Sequence, residues 1–134
     1  MNDCIFCKIL KKELPAKVIY EDEISFVFMT TDPCTNGHLL MIPKQHVVTF
    51  DDVQEEFITH SLKVIRDIIY PLVKDKLHAE GLTIAQNNYL GQEVKHFHIH
   101  LVPRYKGDNL IFNYNEDLLE SLDEVFKKIK SSNN

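Results

Sequence analysis

The sequence lacks the features that would place it outside ordinary globular proteins. No run approaches the roughly 20 apolar residues needed to cross a bilayer. The N-terminal Met1-Asn2-Asp3-Cys4 carries no basic region followed by an apolar stretch, so no signal peptide is expected. Only three cysteines occur among 134 residues, too few for a disulfide framework, and a reducing, cytoplasmic location is the expectation. Positive charge is not in excess: the net charge is −5, which argues against a surface that coats nucleic acid. Repeats are absent, and so is any linker long enough to divide domains; only Ser131 to Asn134 is compositionally biased. What remains is a single domain over residues 1–134, 44% hydrophobic and 26% charged, long enough to bury a proper core.

Against this plain background one stretch stands out, Gln92-Glu93-Val94-Lys95-His96-Phe97-His98-Ile99-His100-Leu101-Val102-Pro103-Arg104. Histidines alternate with large apolar residues, the signature of a half-buried strand. His96, His98 and His100 should line one face, roughly 6.5–7 Å apart, with Phe97, Ile99 and Leu101 in the core. Pro103 should end the pairing. Three imidazoles on one face fit either joint metal ligation or divided labour, with one nucleophile or base and others holding phosphate or metal.

The remaining elements follow from pattern. Cys4 to Lys12 reads as a short helix, and 17–21 and 24–30 as strands joined by a turn. Asp32 to Gly37 is a loop, and 38–42 a strand stopped by Pro43. Asp51 or Asp52 can cap a long helix with Val53, Phe57, Val64 and Ile68 on its apolar face; Pro71 should kink or split it and Gly81 should end it. Residues 82–87 form a strand. Residues 115–130 form an amphipathic helix with Leu118, Leu119, Leu122, Val125, Phe126 and Ile129 on one stripe. The order implies an α+β domain, an antiparallel sheet with a long helix on one face.

Cys4 and Cys7 form a C-x-x-C pair. A redox pair should follow a strand and open a helix in a βαβ unit, and almost nothing precedes this one. Burial of small apolar cysteines is the plain alternative. A half-site for tetrahedral zinc is the favoured reading, and it needs two further ligands. His46, in the loop after Pro43-Lys44-Gln45, is better placed than His60 or His78, which lie on or near the long helix.

Together these segments resemble the histidine triad superfamily. His96 to Val102 has the form His-φ-His-φ-His-φ-φ. Cys4-Ile5-Phe6-Cys7-Lys8-Ile9, Pro15 to Asp22, Gly37 to His46 and Gly91-Gln92 resemble the family's other segments in the same order, over Cys4 to Lys106. The resemblance implies a five-stranded antiparallel sheet, a homodimer whose sheets join into one, and a nucleotide hydrolase or transferase acting at an α-phosphate. It implies that His98 is the nucleophile and that His100 contacts phosphate oxygens and aids the leaving group. Gln92, and either Gln86 or Asn87, resemble phosphate-contacting amides. The implied zinc is structural, held by Cys4, Cys7, His46 and His96. Purine nucleotides, dinucleoside polyphosphates or nucleoside phosphoramidates are the implied partners.

Two positions depart from the pattern. Glu93 replaces a small hydroxyl residue near the phosphate, and Thr30 replaces an aspartate that grips ribose hydroxyls. Arg104 and Lys106 are candidates for a polyphosphate leaving group, or plain surface charge. Ile5, Phe6, Ile9, Phe26 and Phe28 are candidate walls for a nucleobase, or simply core.

Overall fold

A computed structural model describes residues 3–131, so the last residues of the biased tail, 132–134, lie outside the described residues. The strands are β1 (Val18–Glu21), β2 (Ser25–Met29), β3 (Leu39–Pro43), β4 (Gly81–Gln86) and β5 (Ile99–Arg104). They form one five-stranded sheet in the order β1-β2-β3-β5-β4, antiparallel throughout. The expected α+β class and sheet are present.

Both faces of the sheet are covered, where the sequence suggested one. On one side Val27, Met41, Phe97, Ile99 and Leu101 pack on Phe57, Val64, Ile65, Ile69 and Val73 of the long helix. On the other, Phe26, Phe28, Leu40 and Ile42 receive Phe6 from the N-terminal helix α1 (Ile5–Leu10). Strands β2 and β3 are therefore buried almost end to end.

Several expected boundaries shift. Pro43 is the last residue of β3, paired with Ser25, and does not stop the strand before it. Pro103 sits inside β5, opposite Leu82, and pairing runs on to Arg104. The β3 ladder has already ended at Leu101, so no neighbour on that side needs the donor that Pro103 lacks. The long helix starts at Glu55, with Gln54 as an N-cap that makes no side-chain bond. Asp52 instead accepts the N–H groups of Val48 and Thr49 and closes the preceding turn. Helical backbone continues through Pro71, with a π segment just before it. The chain passes from α2 (Glu55–Val64) through a π turn (Ile65–Ile69) into α3 (Tyr70–Leu77). Tyr70 N–H bonds the Ile65 carbonyl, five residues back. The wider turn makes room for a ring that would otherwise strike the carbonyl four residues earlier. The helix ends at His78, which adopts the left-handed conformation (φ 58°), while Gly81 opens β4.

The C-terminal segment also differs. A 3-10 turn (Glu116–Leu118) precedes α4 (Leu122–Lys130), whose N-cap Ser121 accepts the Glu124 N–H. Its apolar stripe faces outward: Leu122 is 89% and Phe126 63% exposed.

One polar clamp ties the sheet to the long helix. Asp22, in the β1–β2 turn, accepts the N–H groups of Ile24 and Ser25, the Ser25 and Tyr20 hydroxyls, and His60 Nε2–H from α2 at 2.6 Å. Burial raises the Asp22 pKa, but these hydrogen bonds outweigh it and hold the carboxyl well below its ordinary range. A depressed folded-state pKa gives stability that is full above the unfolded value, near 4, and is lost as pH falls through the folded value. Asp22→Asn is therefore expected to cost about 2 kcal/mol at pH 7. In urea melts the gap to wild type should close as pH is lowered towards 2; a gap constant with pH would show that the charge is not what matters.

Candidate functional site

The histidine segment enters the sheet later than its alternation suggests. Pairing of β5 begins at Ile99, opposite Met41 and Gln86. His96 and His98 lie in a run-in outside the ladder that bends over residues 94–96, held by Phe97 N–H to the Val47 carbonyl at 2.7 Å. The parity survives, since Phe97, Ile99 and Leu101 all join the helix-side core. The opposite face is buried too, His96 being 0% and His98 5% exposed. Phe6 explains this: its ring meets His96 and His98 edge-on at 5.8 and 5.2 Å between centroids.

Hydrogen bonds fix the tautomers. His98 Nδ1 lies 2.7 Å from the His96 carbonyl, which can only accept, so Nδ1 carries the proton and Nε2 keeps its lone pair. Burial lowers the His98 pKa, opposed by the His96 carbonyl and by the charge of Glu93. The ring is therefore neutral at pH 7. His100 Nδ1 faces His38 Nε2 at 3.0 Å. His38 Nδ1 accepts the Cys34 N–H at 3.1 Å, so His38 Nε2–H donates to His100. His100 is left with Nε2–H as the hydrogen-bond donor it can offer. Burial, then the neighbouring His98 and His38, push its pKa down to about 4.

His38 was not singled out in the sequence. The signal was parity: His38, just before β3, shares the alternation of Leu40 and Ile42, and Leu40 pairs with His100. That signal needs the strand register before it can be read.

A second cluster sits behind the first. The ligand atoms of Cys4, Cys7, His46 and His96 all lie within 4.8 Å of one another. His96 Nε2–H donates to the Pro43 carbonyl at 3.0 Å, which turns Nδ1 towards Cys4 Sγ (3.4 Å) and Cys7 Sγ (3.6 Å). His46 Nδ1 is 3.2 Å from Cys7 Sγ. Sulfur and nitrogen bound at about 2.3 and 2.0 Å to a tetrahedral ion sit about 3.5 Å apart, so these donors fit a zinc-sized cation. The carbonyl on the far nitrogen of His96 is the usual orienting partner of a metal-ligating imidazole. Burial and the adjacent Cys4 push the Cys7 thiol up, as expected for two thiols that need a shared cation to ionise together.

Beside the histidines lies a cleft of roughly 680 Å³, walled by Ile5, Phe6 and Ile9 of α1 and by Phe28, Thr30 and Leu40. Phe26 belongs to the core beneath it. Thr30 Oγ1 accepts the Asp32 N–H. Gln92 is buried; its Nε2 donates to the Val48 carbonyl at 2.6 Å, and its Oε1 has no partner among the described residues. Gln86 pairs in register with Ile99, on the helix side, and its amide exchanges hydrogen bonds with Asn88. Asn87 follows on the opposite parity and packs beneath Gly91. Lys95 Nζ donates to the Gln92 carbonyl, so it does not serve as a partner for Glu93. Arg104 is held by Asp108, Thr83 and the Leu110 carbonyl, and Lys106 is exposed.

A five-stranded antiparallel sheet with alternating histidines on one covered face, beside an apolar cleft, defines the histidine triad class of domain. Residues 11–107 match the HIT domain, and the chain belongs to that family. It is 41% identical over 129 residues to an uncharacterized HIT-like protein of Methanocaldococcus jannaschii, covering 95% of this chain and 98% of that one. It is 35% identical over 103 residues to adenosine 5'-monophosphoramidase of Saccharomyces cerevisiae, covering 75% of this chain and 62% of the relative. A zinc-bound histidine triad family protein from Mycobacterium smegmatis superposes with a TM-score of 0.77 at 38% identity, covering 87% of this chain and 85% of that one.

Proposed function

We propose that this protein is a nucleotide hydrolase or nucleotidyl transferase that works through a covalent intermediate on His98. The observation that carries this reading is the His98 Nδ1–H bond to the His96 carbonyl, which leaves a neutral Nε2 with a free lone pair. Nε2 attacks the α-phosphorus of a bound nucleotide and the bond to the leaving group breaks. His100 Nε2–H donates a hydrogen bond to a phosphate oxygen, with His38 orienting His100 through Nδ1, and the departing group takes its proton from solvent. An incoming water, or another acceptor, then attacks the phosphorus, the P–Nε2 bond breaks, the acceptor's proton passes to solvent, and His98 regains its lone pair. Dividing one displacement into two lowers each barrier.

The cleft beside His100 is large and apolar enough to hold a purine, with Thr30 at its edge. Asn87 and Gln92 are the proposed amides near the phosphate, Asn87 being favoured over Gln86 by the face it occupies. The substrates proposed are nucleoside phosphoramidates or dinucleoside polyphosphates; the activity named for the yeast relative supports the first. Cys4, Cys7, His46 and His96 would hold one structural zinc ion. Four protein ligands leave it no open position, so its chemistry there is to fix structure. The protein acts as a homodimer in the cytoplasm, the exposed Ile84 on edge strand β4 and Leu62 on α2 supporting a partner at that edge. No helix among the described residues is long and apolar enough to cross a membrane.

Intact-protein mass spectrometry after a rapid acid-free quench tests the reading, with an adenosine phosphoramidate and diadenosine polyphosphates compared. The expected result is a nucleotidyl adduct on wild type and none on His98→Asn, with the better substrate loading faster. Nucleotide binding with neither adduct nor product would leave a nucleotide-binding protein instead.

A further inference from the structure

We infer that the cation site and the nucleotide cleft are a single coupled binding unit joined by Phe6, so that zinc and nucleotide each raise the other's affinity. The inference rests on the proposed function for the identity of the nucleotide. Helix α1 is six residues long, far too short to persist on its own. Its two ends of attachment are different in kind. Cys4 and Cys7 point to His46 and His96, the cation cluster. Ile5, Phe6 and Ile9, interleaved with those cysteines, form one wall of the cleft. Phe6 belongs to both: it is buried, lies between the two cysteines in sequence, and places its ring against His96 on one side and His98 on the other. A cation that ties down the cysteines therefore also sets the cleft wall and the packing on His98. A nucleotide that fills the cleft presses α1 onto the sheet and holds the cysteines where the cation needs them. Such coupling must be reciprocal in binding free energy.

The test uses zinc alone and AMP as probes. Zinc-loaded protein is titrated with a chromophoric chelator with and without saturating AMP, and the AMP Kd is measured on loaded and zinc-stripped protein. AMP is expected to raise the apparent zinc affinity about 10-fold, and stripping to weaken AMP by the same factor. Hydrogen exchange of the stripped protein should lose protection over Ile5–Leu10 while β3 and β5 keep theirs, and AMP should restore it. Phe6→Leu should retain zinc while the coupling factor falls towards one. Equal affinities with and without the other ligand would overturn the inference. So would loss of protection across the whole sheet on stripping, or full coupling in Phe6→Leu. Failure of AMP to bind the zinc-loaded protein would instead remove the nucleotide reading itself, and this inference with it.

Discussion

His98→Asn should lower kcat by about 10⁴-fold or more while leaving nucleotide affinity within a few-fold of wild type. Asparagine is the informative replacement because its amide N–H can still reach the His96 carbonyl that His98 Nδ1 now contacts. The run-in to β5 and the packing of Phe6 are then disturbed little, and the loss reports the missing Nε2. The pH dependence offers an independent check. Burial lowers the pKa of both His98 and His100, the latter to about 4. A lowered pKa keeps each ring neutral to lower pH, so the acid limb of kcat/KM should fall below 6.5, the value for an exposed histidine. Single-turnover and steady-state rates, with nucleotide binding measured by calorimetry, would settle both points. A variant that keeps a tenth of wild-type kcat would rule out His98 as the nucleophile.

Cys7→Ser should abolish stoichiometric zinc and lower the melting temperature by about 10 °C, equivalent to roughly 3 kcal/mol for a domain of this size. The magnitude follows from what the site connects. Its donors come from α1 and its N-cap, from the loop after β3 and from the run-in to β5, three segments distant in sequence that the cation would tie at one point. Helix α1 would then be held mainly by Phe6 and the apolar residues around it. Chelation of wild type should reproduce the shift, and zinc should reverse it only in wild type. Elemental analysis together with scanning calorimetry makes the measurement. Stoichiometric zinc with a melting temperature changed by less than about 2 °C would mean that the cluster binds metal without contributing to the fold.

Much of this architecture was legible because its signals are local. Alternation placed Phe97, Ile99 and Leu101 in the core without knowledge of any partner strand. C-x-x-C announced two ligands for the same reason. What escaped depended on competition between local options. Asp52 had two uses, to cap the helix or to close the turn before it, and the backbone N–H groups of Val48 and Thr49 claimed it. Around Pro71 the apolar period is equally compatible with a break and with a π turn. The start of β5 was set by competing bonds: the β3 pairing stops at Met41 and Ile99, while Phe97 N–H goes to the Val47 carbonyl and the Pro43 carbonyl is taken by the His96 side chain. The stripe on α4 identified a helix but not whether anything covers it. His38 needed a register, which spacing along one strand does not contain.

The spread of the four cation ligands along the chain also bears on the order of folding. Cys4 and His96 are 92 positions apart, and Cys7 and His46 are 39 apart. Between them lies the whole excursion of the long helix and β4. Closing loops of this length carries an entropic penalty that only the finished β3–β5 pairing can offset. The helix and the β1–β2–β3 meander, built from near neighbours, can assemble well before the cluster exists. A chain refolding in the presence of cobalt would therefore gain helical signal first and thiolate–metal absorbance last, making metal capture a timestamp for the final closure of the domain.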